Sequence, residues 1–206
     1  MKVRPMTKAL IFDLGKTIVG FDFKRGYAAM EGRCRYPAAE IPKRIGATDL
    51  VVRYESGRIG SSDFVAELCA ILMLDMSYEE FCRVWFSVFL PGTLIDEGML
   101  EALGRRYPLV LLSNTNPIHF EMLEANYPVL RLFERRVLSC EVGAMKPSPI
   151  IYEAAIAKAG CRPSECFFTD DVAAYVEGAC QCGMDAVQFN GQEQLERELR
   201  ARGVQW

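Results

Sequence analysis

The sequence predicts an α/β protein with a doubly wound parallel sheet and an all-helical insertion after the first strand. An uninterrupted apolar run over residues 9–12 ends in Asp13 and is followed by Leu14 and Gly15. This pattern is typical of a buried parallel strand that opens into a tight loop. No strand pattern interrupts the next ~70 residues, in which apolar residues recur at helical spacing. From Asp96, strand and helix patterns alternate, which predicts a parallel sheet with right-handed crossovers.

The composition predicts a globular chain that binds small molecules. Of the 206 residues, 50% are hydrophobic, enough for a sizeable core, and the net charge is −3. The scattered Lys and Arg residues form no basic stripe, so we expect no nucleic-acid partner. No apolar run approaches the ~18 residues of a membrane span or forms a signal-peptide core. We therefore expect no membrane partner and a cytoplasmic location, while the oligomeric state is left open.

The eight cysteines and the single His lack the paired Cys-x-x-Cys spacing of a structural zinc site. Several cysteines fall in apolar segments, where a free Cys behaves as a small hydrophobe. We therefore favour buried reduced thiols over disulfides.

The insertion is expected to begin with an extended piece over residues 18–23, which places Phe21 and Phe23 near the mouth of a site. Helices are predicted to follow because apolar residues recur there every three to four positions. They cover residues 38–45, 48–54, 61–72 and 77–89. A helical insertion of this kind can act as a lid over a site at the edge of the sheet.

After Asp96 the pattern predicts five helices and four strands. The helices cover residues 96–106, 117–125, 149–159, 172–180 and 192–201, and the strands cover residues 109–112, 136–138, 166–169 and 186–189. The carboxyl ends of parallel strands meet at one edge of an open α/β sheet, and ligands bind there. Polar residues that follow these strands are therefore candidates for function.

Carboxylates follow two of the predicted strands. Asp13 ends the first strand, and the adjacent Asp170 and Asp171 follow the strand at 166–169. Adjacent carboxylates repel each other and usually require a cation. The structural alternatives are a turn-forming Asp before Gly15 and a helix-capping role for Asp171. The three acids together favour a site for a hard metal cation.

Hydrogen-bond donors and one ammonium group accompany the acids. Ser113 and Asn114 follow the strand at 109–112, where they can donate to an anion or cap the helix that opens with Pro117. Lys146 lies in a loop just before the helix at 149–159; alone, it would be an ordinary surface residue. A cation, two donors and an ammonium group in one place would surround a phosphoryl group.

The order of these residues resembles the haloacid dehalogenase-like hydrolases over nearly the whole chain. That superfamily has an acid after the first strand, a Ser or Thr after the next, a Lys before a later helix and an Asp pair after a further strand. The resemblance implies a Rossmann-like core over residues 1–20 and 93–206, with a small helical cap over residues 21–92. It also implies Mg²⁺ dependence and hydrolysis of a small-molecule phosphate ester through a phospho-aspartyl enzyme.

The resemblance also implies a role for each candidate residue by its position in the motifs. Asp13 would be the nucleophile, and Lys146 would neutralise charge on the nucleophile and on the phosphate. The phosphate would be held by Ser113 and Asn114. The metal ligands would be Asp13, the backbone carbonyl of Gly15, Asp170 and Asp171.

A narrower resemblance rests on five motifs: Phe12-Asp13-Leu14-Gly15, Glu55-x-Gly57-x-Ile59, Leu112-Ser113-Asn114-Thr115-Asn116 with His119, Met145-Lys146-Pro147, and Phe168-Thr169-Asp170-Asp171. They are similar to the bacterial sugar-phosphate phosphatases typified by α-D-glucose-1-phosphate phosphatase. The phosphatase domain of soluble epoxide hydrolases is a more distant relative. A sugar phosphate is therefore the expected substrate.

Gly15 departs from the wider superfamily pattern. Most of its phosphatases carry a second Asp two residues after the nucleophile, as general acid and base, although the narrower group also has Gly. General acid-base help is worth ~10²–10⁴ in rate, so a catalytically weak or inactive phosphate-binding protein is the alternative function. His119, the only His, is a candidate substitute acid or base. A dehalogenase needs no metal, and the Asp170-Asp171 pair counts against it.

Overall fold

The computed structural model describes residues 6–206. The first five residues of the predicted core range 1–20 lie outside this part. The strands are β1 (Ala9–Phe12), β2 (Val19–Phe21), β3 (Phe89–Thr93), β4 (Leu109–Ser113), β5 (Arg135–Leu138), β6 (Cys166–Asp170) and β7 (Asp185–Gln188). The helices are α1 (Phe23–Met30), α2 (Ile41–Gly46), α3 (Leu50–Glu55), α4 (Ser61–Leu72), α5 (Tyr78–Phe86), α6 (Glu97–Gly104), α7 (Pro117–Asn126), α8 (Ser139–Val142), α9 (Pro149–Ala159), α10 (Ala173–Gln181) and α11 (Gln192–Ala201).

Five strands form one parallel sheet in the order β5-β4-β1-β6-β7, with β1 at its centre. Successive side chains of a strand point to opposite faces. Leu10 and Phe12 of β1 therefore pack with α6, α7 and α11, whereas Ala9 and Ile11 pack with α9 and α10. The predicted α/β class with a doubly wound parallel sheet is confirmed.

The segment after β1 builds a cap of five helices, α1–α5, around a hydrophobic core of its own. That core contains Met30, Tyr54, Phe64, Leu68, Phe81 and Trp85. Strands β2 and β3 pair antiparallel where the chain leaves for the cap and returns from it. The proposed division into residues 1–20 with 93–206, and 21–92, falls within this two-stranded ribbon.

Two bounds in the insertion were predicted wrongly. The helix predicted over 77–89 ends at Phe86, because Phe89 pairs with Phe21 in the ribbon. The extended piece predicted over 18–23 ends at Phe21, because the Asp22 carboxylate accepts a hydrogen bond from the Lys24 N–H and caps α1. The insertion is therefore helical except for the ribbon at its base.

The cap touches the core through the end of α3 and the turn that follows it. The Tyr54 hydroxyl oxygen accepts a hydrogen bond from the backbone N–H of Ile118 in α7, at 3.2 Å. Gly57 has a φ of +69° and lies so near α8 that an added Cβ would be 2.2 Å from the Cys140 carbonyl oxygen. Glycine is the residue that accepts both constraints. The last turn of α3 is thereby held against the core.

Within residues 6–206, no helix has both the length and the apolar character needed to cross a membrane.

Candidate active site

Lys146 forms the centre of a buried charged cluster at the carboxyl edge of the sheet. Its ammonium group donates hydrogen bonds to Asp13 at 2.6 Å, to Asp170 at 2.5 Å and to the Leu112 carbonyl oxygen at 3.1 Å. Asp13 directly follows β1, and Asp170 is the last residue of β6. Because β1 and β6 are parallel neighbours, the two carboxylates lie side by side. The sheet topology thus joins residues that are far apart in the sequence.

Burial and the attraction between opposite charges have opposite effects on the pKa values in this cluster. Burial raises the pKa of Asp13 to about 6, although the Lys146 ammonium counteracts the effect. Burial alone would lower the pKa of Lys146, but Asp13 and Asp170 raise it above its usual value. Lys146 is therefore a permanent cation that neutralises one of the neighbouring carboxylates.

Three carboxylates in this cluster are placed to hold a cation. Asp13, Asp170 and Asp171 each offer an oxygen, and these oxygens all lie within 4.8 Å of one another. The single ammonium of Lys146 cannot balance three carboxylates, so a negative charge remains. Hard oxygen ligands and a surplus negative charge fit Mg²⁺. The fourth predicted ligand, Gly15, lies in the loop that directly follows Asp13.

Ser113 is the last residue of β4 and Asn114 follows it at the same edge, but the two side chains make different contacts. Ser113 is 2% exposed and lines a cavity beside Gly15. The Asn114 amide donates to the Lys146 carbonyl oxygen at 3.1 Å and accepts from the Lys146 N–H at 2.7 Å. The Asn114 side chain therefore positions the loop that contains Lys146. The sequence did not indicate this structural role.

A cavity lined by Leu14 and Gly15, the two residues after Asp13, lies between the core and the cap. Gly15, Ser113 and Asn114 line it from the core, and Phe21, Phe23 and Glu55 line it from the inserted segment. The predicted placement of Phe21 and Phe23 at the mouth of the site agrees with this lining. A second, mostly apolar cavity of about 260 Å³ adjoins the first and shares Phe23, Glu55 and His119 with it.

Phe21 explains why residue 15 has no side chain. A Cβ added at Gly15 would lie 2.8 Å from Cε1 of the Phe21 ring, closer than carbon atoms approach each other. The ring is held in turn by Phe23, at a centroid distance of 4.9 Å. An acidic side chain at residue 15 therefore requires Phe21 to move.

His119 is buried, and both of its ring nitrogens are within hydrogen-bonding distance of protein atoms. Nε2 lies 3.1 Å from the Trp85 carbonyl oxygen, and Nδ1 lies 3.1 Å from the Asn116 amide nitrogen. The ring stacks on Trp85, and burial lowers its pKa to about 4. A neutral His119 thus joins the core helix α7 to the cap helix α5, and its role in proton transfer stays a prediction.

We expect His119→Ala to reduce stability far more than turnover. The substitution leaves the Asn116 amide and the Trp85 carbonyl unpaired, which should lower the free energy of unfolding by about 2–3 kcal/mol. We expect kcat to change by less than about tenfold, below the range of general acid-base effects. Urea unfolding and steady-state kinetics measure the two effects. A kcat loss of about 10²-fold with unchanged stability would instead support proton transfer by His119.

Glu55 is an acid to which the sequence assigns no catalytic or binding role. It belongs to the motif Glu55-x-Gly57-x-Ile59, and it lines both cavities. Burial raises its pKa to about 7, and the Asn116 amide partly offsets this rise. No Lys or Arg among residues 6–206 forms a salt bridge with it.

The chain belongs to the haloacid dehalogenase-like hydrolases, whose family model matches residues 7–183. The fold, the acids at the strand ends and the buried Lys agree with this assignment, so the predicted superfamily is confirmed and the chain is an enzyme. The narrower resemblance to glucose-1-phosphate phosphatases stays a prediction.

Three known proteins are similar to this chain over most of its length. It is 25% identical to D-ribitol-5-phosphate phosphatase of Bacteroides thetaiotaomicron, with 94% of this chain and 97% of the relative covered. It is 28% identical to Phosphatase MT3486 of Mycobacterium tuberculosis, with 95% of each covered. A HAD family enzyme from Bacteroides thetaiotaomicron, bt-2542, was solved with magnesium and inorganic phosphate. That structure is similar at a TM-score of 0.77 and 25% identity, with 88% of this chain and 93% of the solved chain covered. The predicted phosphatase class and Mg²⁺ cofactor agree with these relatives.

Proposed function

We propose that this chain is a Mg²⁺-dependent phosphatase that hydrolyses a small phosphorylated metabolite through a phospho-aspartyl intermediate on Asp13. The observation that carries the proposal is the buried contact of Lys146 with Asp13 and Asp170, beside a third carboxylate, Asp171. An anionic phosphate ester placed next to Asp13 needs positive charge, which the Lys146 ammonium and a cation held by the three carboxylates would supply together.

In the proposed reaction, an Asp13 oxygen attacks phosphorus, and the bond from phosphorus to the ester oxygen breaks. Water then cleaves the aspartyl phosphate, which releases inorganic phosphate and regenerates Asp13. Lys146 orients the Asp13 carboxylate and offsets negative charge as the two anions meet.

The Ser113 hydroxyl and the backbone N–H of Asn114 are the proposed phosphate donors, since the Asn114 side chain is bound to the Lys146 loop. Asp13, Asp170, Asp171 and the Gly15 carbonyl would hold Mg²⁺, which supplies Lewis-acid stabilisation of the phosphoryl charge.

A sugar or polyol phosphate is the proposed substrate class. The name of the Bacteroides thetaiotaomicron relative supports it. The site lies beneath the cap, and substrate enclosed between core and cap would be shielded from competing water. The absence of nucleic-acid and membrane partners and the cytoplasmic location stay predictions.

The test is phosphate release from ribitol 5-phosphate, glucose 1-phosphate, glucose 6-phosphate and 4-nitrophenyl phosphate, in Mg²⁺ and in EDTA. We expect release in Mg²⁺ only, because three carboxylates beside an anionic substrate need a cation. Exposed Asp63→Asn in the cap serves as a control with unchanged turnover. Equal release in EDTA would contradict the proposal.

The second candidate function is a phosphate-binding protein with little turnover. Gly15 favours this alternative because it provides no acid, and the Phe21 ring lies over the space that a side chain would occupy. Binding of inorganic phosphate in Mg²⁺, together with no release from any ester in the panel, would support it.

A further inference from the structure

Hydrolysis of an alkyl phosphate needs a proton for the leaving oxygen, because an alkoxide is a poor leaving group at neutral pH. A group that gives this proton in the transition state contributes typically ~10²–10⁴ in rate. Residue 15 cannot provide it, since it is Gly and the Phe21 ring covers the position of a side chain. The donor must therefore come from another part of the cavity.

The cavity beside Gly15, in the loop that follows Asp13, offers few titratable groups for this task. Its lining contains a single carboxyl group, Glu55, and a single imidazole, His119. Both nitrogens of His119 are engaged with Trp85 and Asn116. Glu55 forms no salt bridge among residues 6–206 and faces the same space as Gly15 and Ser113.

The position of Glu55 is determined by its neighbours in the chain. The preceding residue, Tyr54, is fully buried and hydrogen bonded to the Ile118 N–H and to the Ser61 hydroxyl. Two residues later, Gly57 packs directly on the Cys140 carbonyl. Because both flanking contacts are tight, the carboxyl group of this cap residue is held next to the core without a further closing motion.

The surroundings of Glu55 keep it protonated until neutral pH. The titratable groups that share a cavity or interact with it are Tyr27 on α1, His119 on α7 and Cys140 on α8. Burial raises the pKa of Tyr27 above its usual value and keeps His119 and Cys140 uncharged, with pKa values of about 4 and about 11. Burial raises the pKa of Glu55 itself to about 7. A carboxyl group with this pKa can both give and take a proton near neutral pH.

We propose that Glu55 is the general acid and general base of this active site, supplied by the cap in place of a carboxyl group at residue 15. This inference rests on the proposed phosphatase function. When an Asp13 oxygen bonds to phosphorus, the bond from phosphorus to the ester oxygen breaks, and the Glu55 proton moves to that oxygen to release the alcohol. The Glu55 carboxylate then takes a proton from the attacking water, and the bond between phosphorus and Asp13 breaks. Inorganic phosphate leaves, with Glu55 protonated and Asp13 free again.

The experiment compares Glu55→Gln with the unchanged chain on 4-nitrophenyl, phenyl and benzyl phosphate in Mg²⁺. These esters share an aromatic ring, but the acidity of the leaving alcohol falls in that order. We expect kcat/KM of Glu55→Gln to fall by ~10²–10⁴-fold on benzyl phosphate and by less than about tenfold on 4-nitrophenyl phosphate. On benzyl phosphate we also expect kcat/KM of the unchanged chain to fall above about pH 7, where Glu55 loses its proton. This fall should be absent in Glu55→Gln, because residue 55 no longer titrates.

Two variants separate proton transfer from a structural effect. Glu31→Gln removes an exposed acid of the cap and should leave all three rates unchanged. Glu55→Asp keeps a carboxyl group and should recover part of the benzyl phosphate rate. The affinity for inorganic phosphate, measured by calorimetry, should be equal in Glu55→Gln and the unchanged chain.

Three outcomes would overturn the inference. Glu55→Gln could leave kcat/KM unchanged on all three esters, or lower it by one common factor on all three. Glu55→Asp could also be as slow as Glu55→Gln on every ester. Each is compatible with a working phosphatase, and so separates failure of this inference from failure of the proposed function. The proposed function itself fails, and this inference with it, if the unchanged chain hydrolyses no ester in Mg²⁺.

Discussion

Asp13→Asn is expected to abolish phosphate release while leaving the fold intact. A carboxamide has almost the shape of a carboxylate, and its oxygen can still accept the hydrogen bond that Lys146 donates to Asp13. It is, however, a poor nucleophile toward phosphorus. We expect kcat to fall by more than about 10⁴-fold, the scale on which removal of a covalent nucleophile acts.

Two measurements check this result. Steady-state phosphate release gives the loss of turnover, and acid-quenched reactions with labelled substrate detect phosphate bound to the unchanged chain but not to Asp13→Asn. Circular dichroism and urea unfolding should be close to those of the unchanged chain. Labelling of Asp13→Asn at the normal level would show that another residue carries the phosphoryl group.

Lys146→Met is expected to cause the largest loss of stability among single substitutions in the site. The Lys146 side chain is 1% exposed, as is that of Asp170, and the Asp13 side chain is 9% exposed. Removing the ammonium leaves two buried carboxylates without the positive charge that pairs with them, although Asp170 still accepts a hydrogen bond from the Val172 N–H. Breaking a buried ion pair in this way costs about 3–5 kcal/mol. Met keeps the apolar stem, so the packing around the chain changes little.

The loss of stability in Lys146→Met should be greatest in EDTA and smaller in Mg²⁺. A divalent cation held by the same carboxylates replaces part of the lost positive charge. Urea unfolding in the two conditions measures the difference. Exposed Lys43→Met is the matched control and should shift the free energy of unfolding by less than about 0.5 kcal/mol. An unchanged stability of Lys146→Met in EDTA would mean that the carboxylates are not charged in the folded chain.

The sheet and several helices could be predicted because their signals are local. The helices predicted over 149–159 and 192–201 are α9 and α11 with the same bounds. Pro149 occupies the first turn of α9, and Gly160 ends it with a φ of +73°. Such signals depend on neighbouring residues alone, so they can be recognised without the rest of the chain.

The ribbon at the base of the cap could not be predicted in the same way. Residues 77–89 carry apolar side chains at helical spacing, and nothing local marks Phe89 as part of a strand. Phe89 is extended because it pairs with Phe21, 68 positions earlier. A strand of this length is stable only with its partner, so its existence depends on tertiary structure.

The sequence by itself determined the sheet, the strand ends that carry Asp13, Ser113 and Asp170, and the family to which the chain belongs. Strand order then places these residues together, because parallel strands end at one edge. Only the tertiary structure decided which way the side chains turn. It directs the Asn114 amide to the Lys146 backbone, His119 onto Trp85, and Glu55 into the cavity beside Gly15. These orientations result from contacts between residues that lie tens of positions apart in the sequence, which no local pattern encodes.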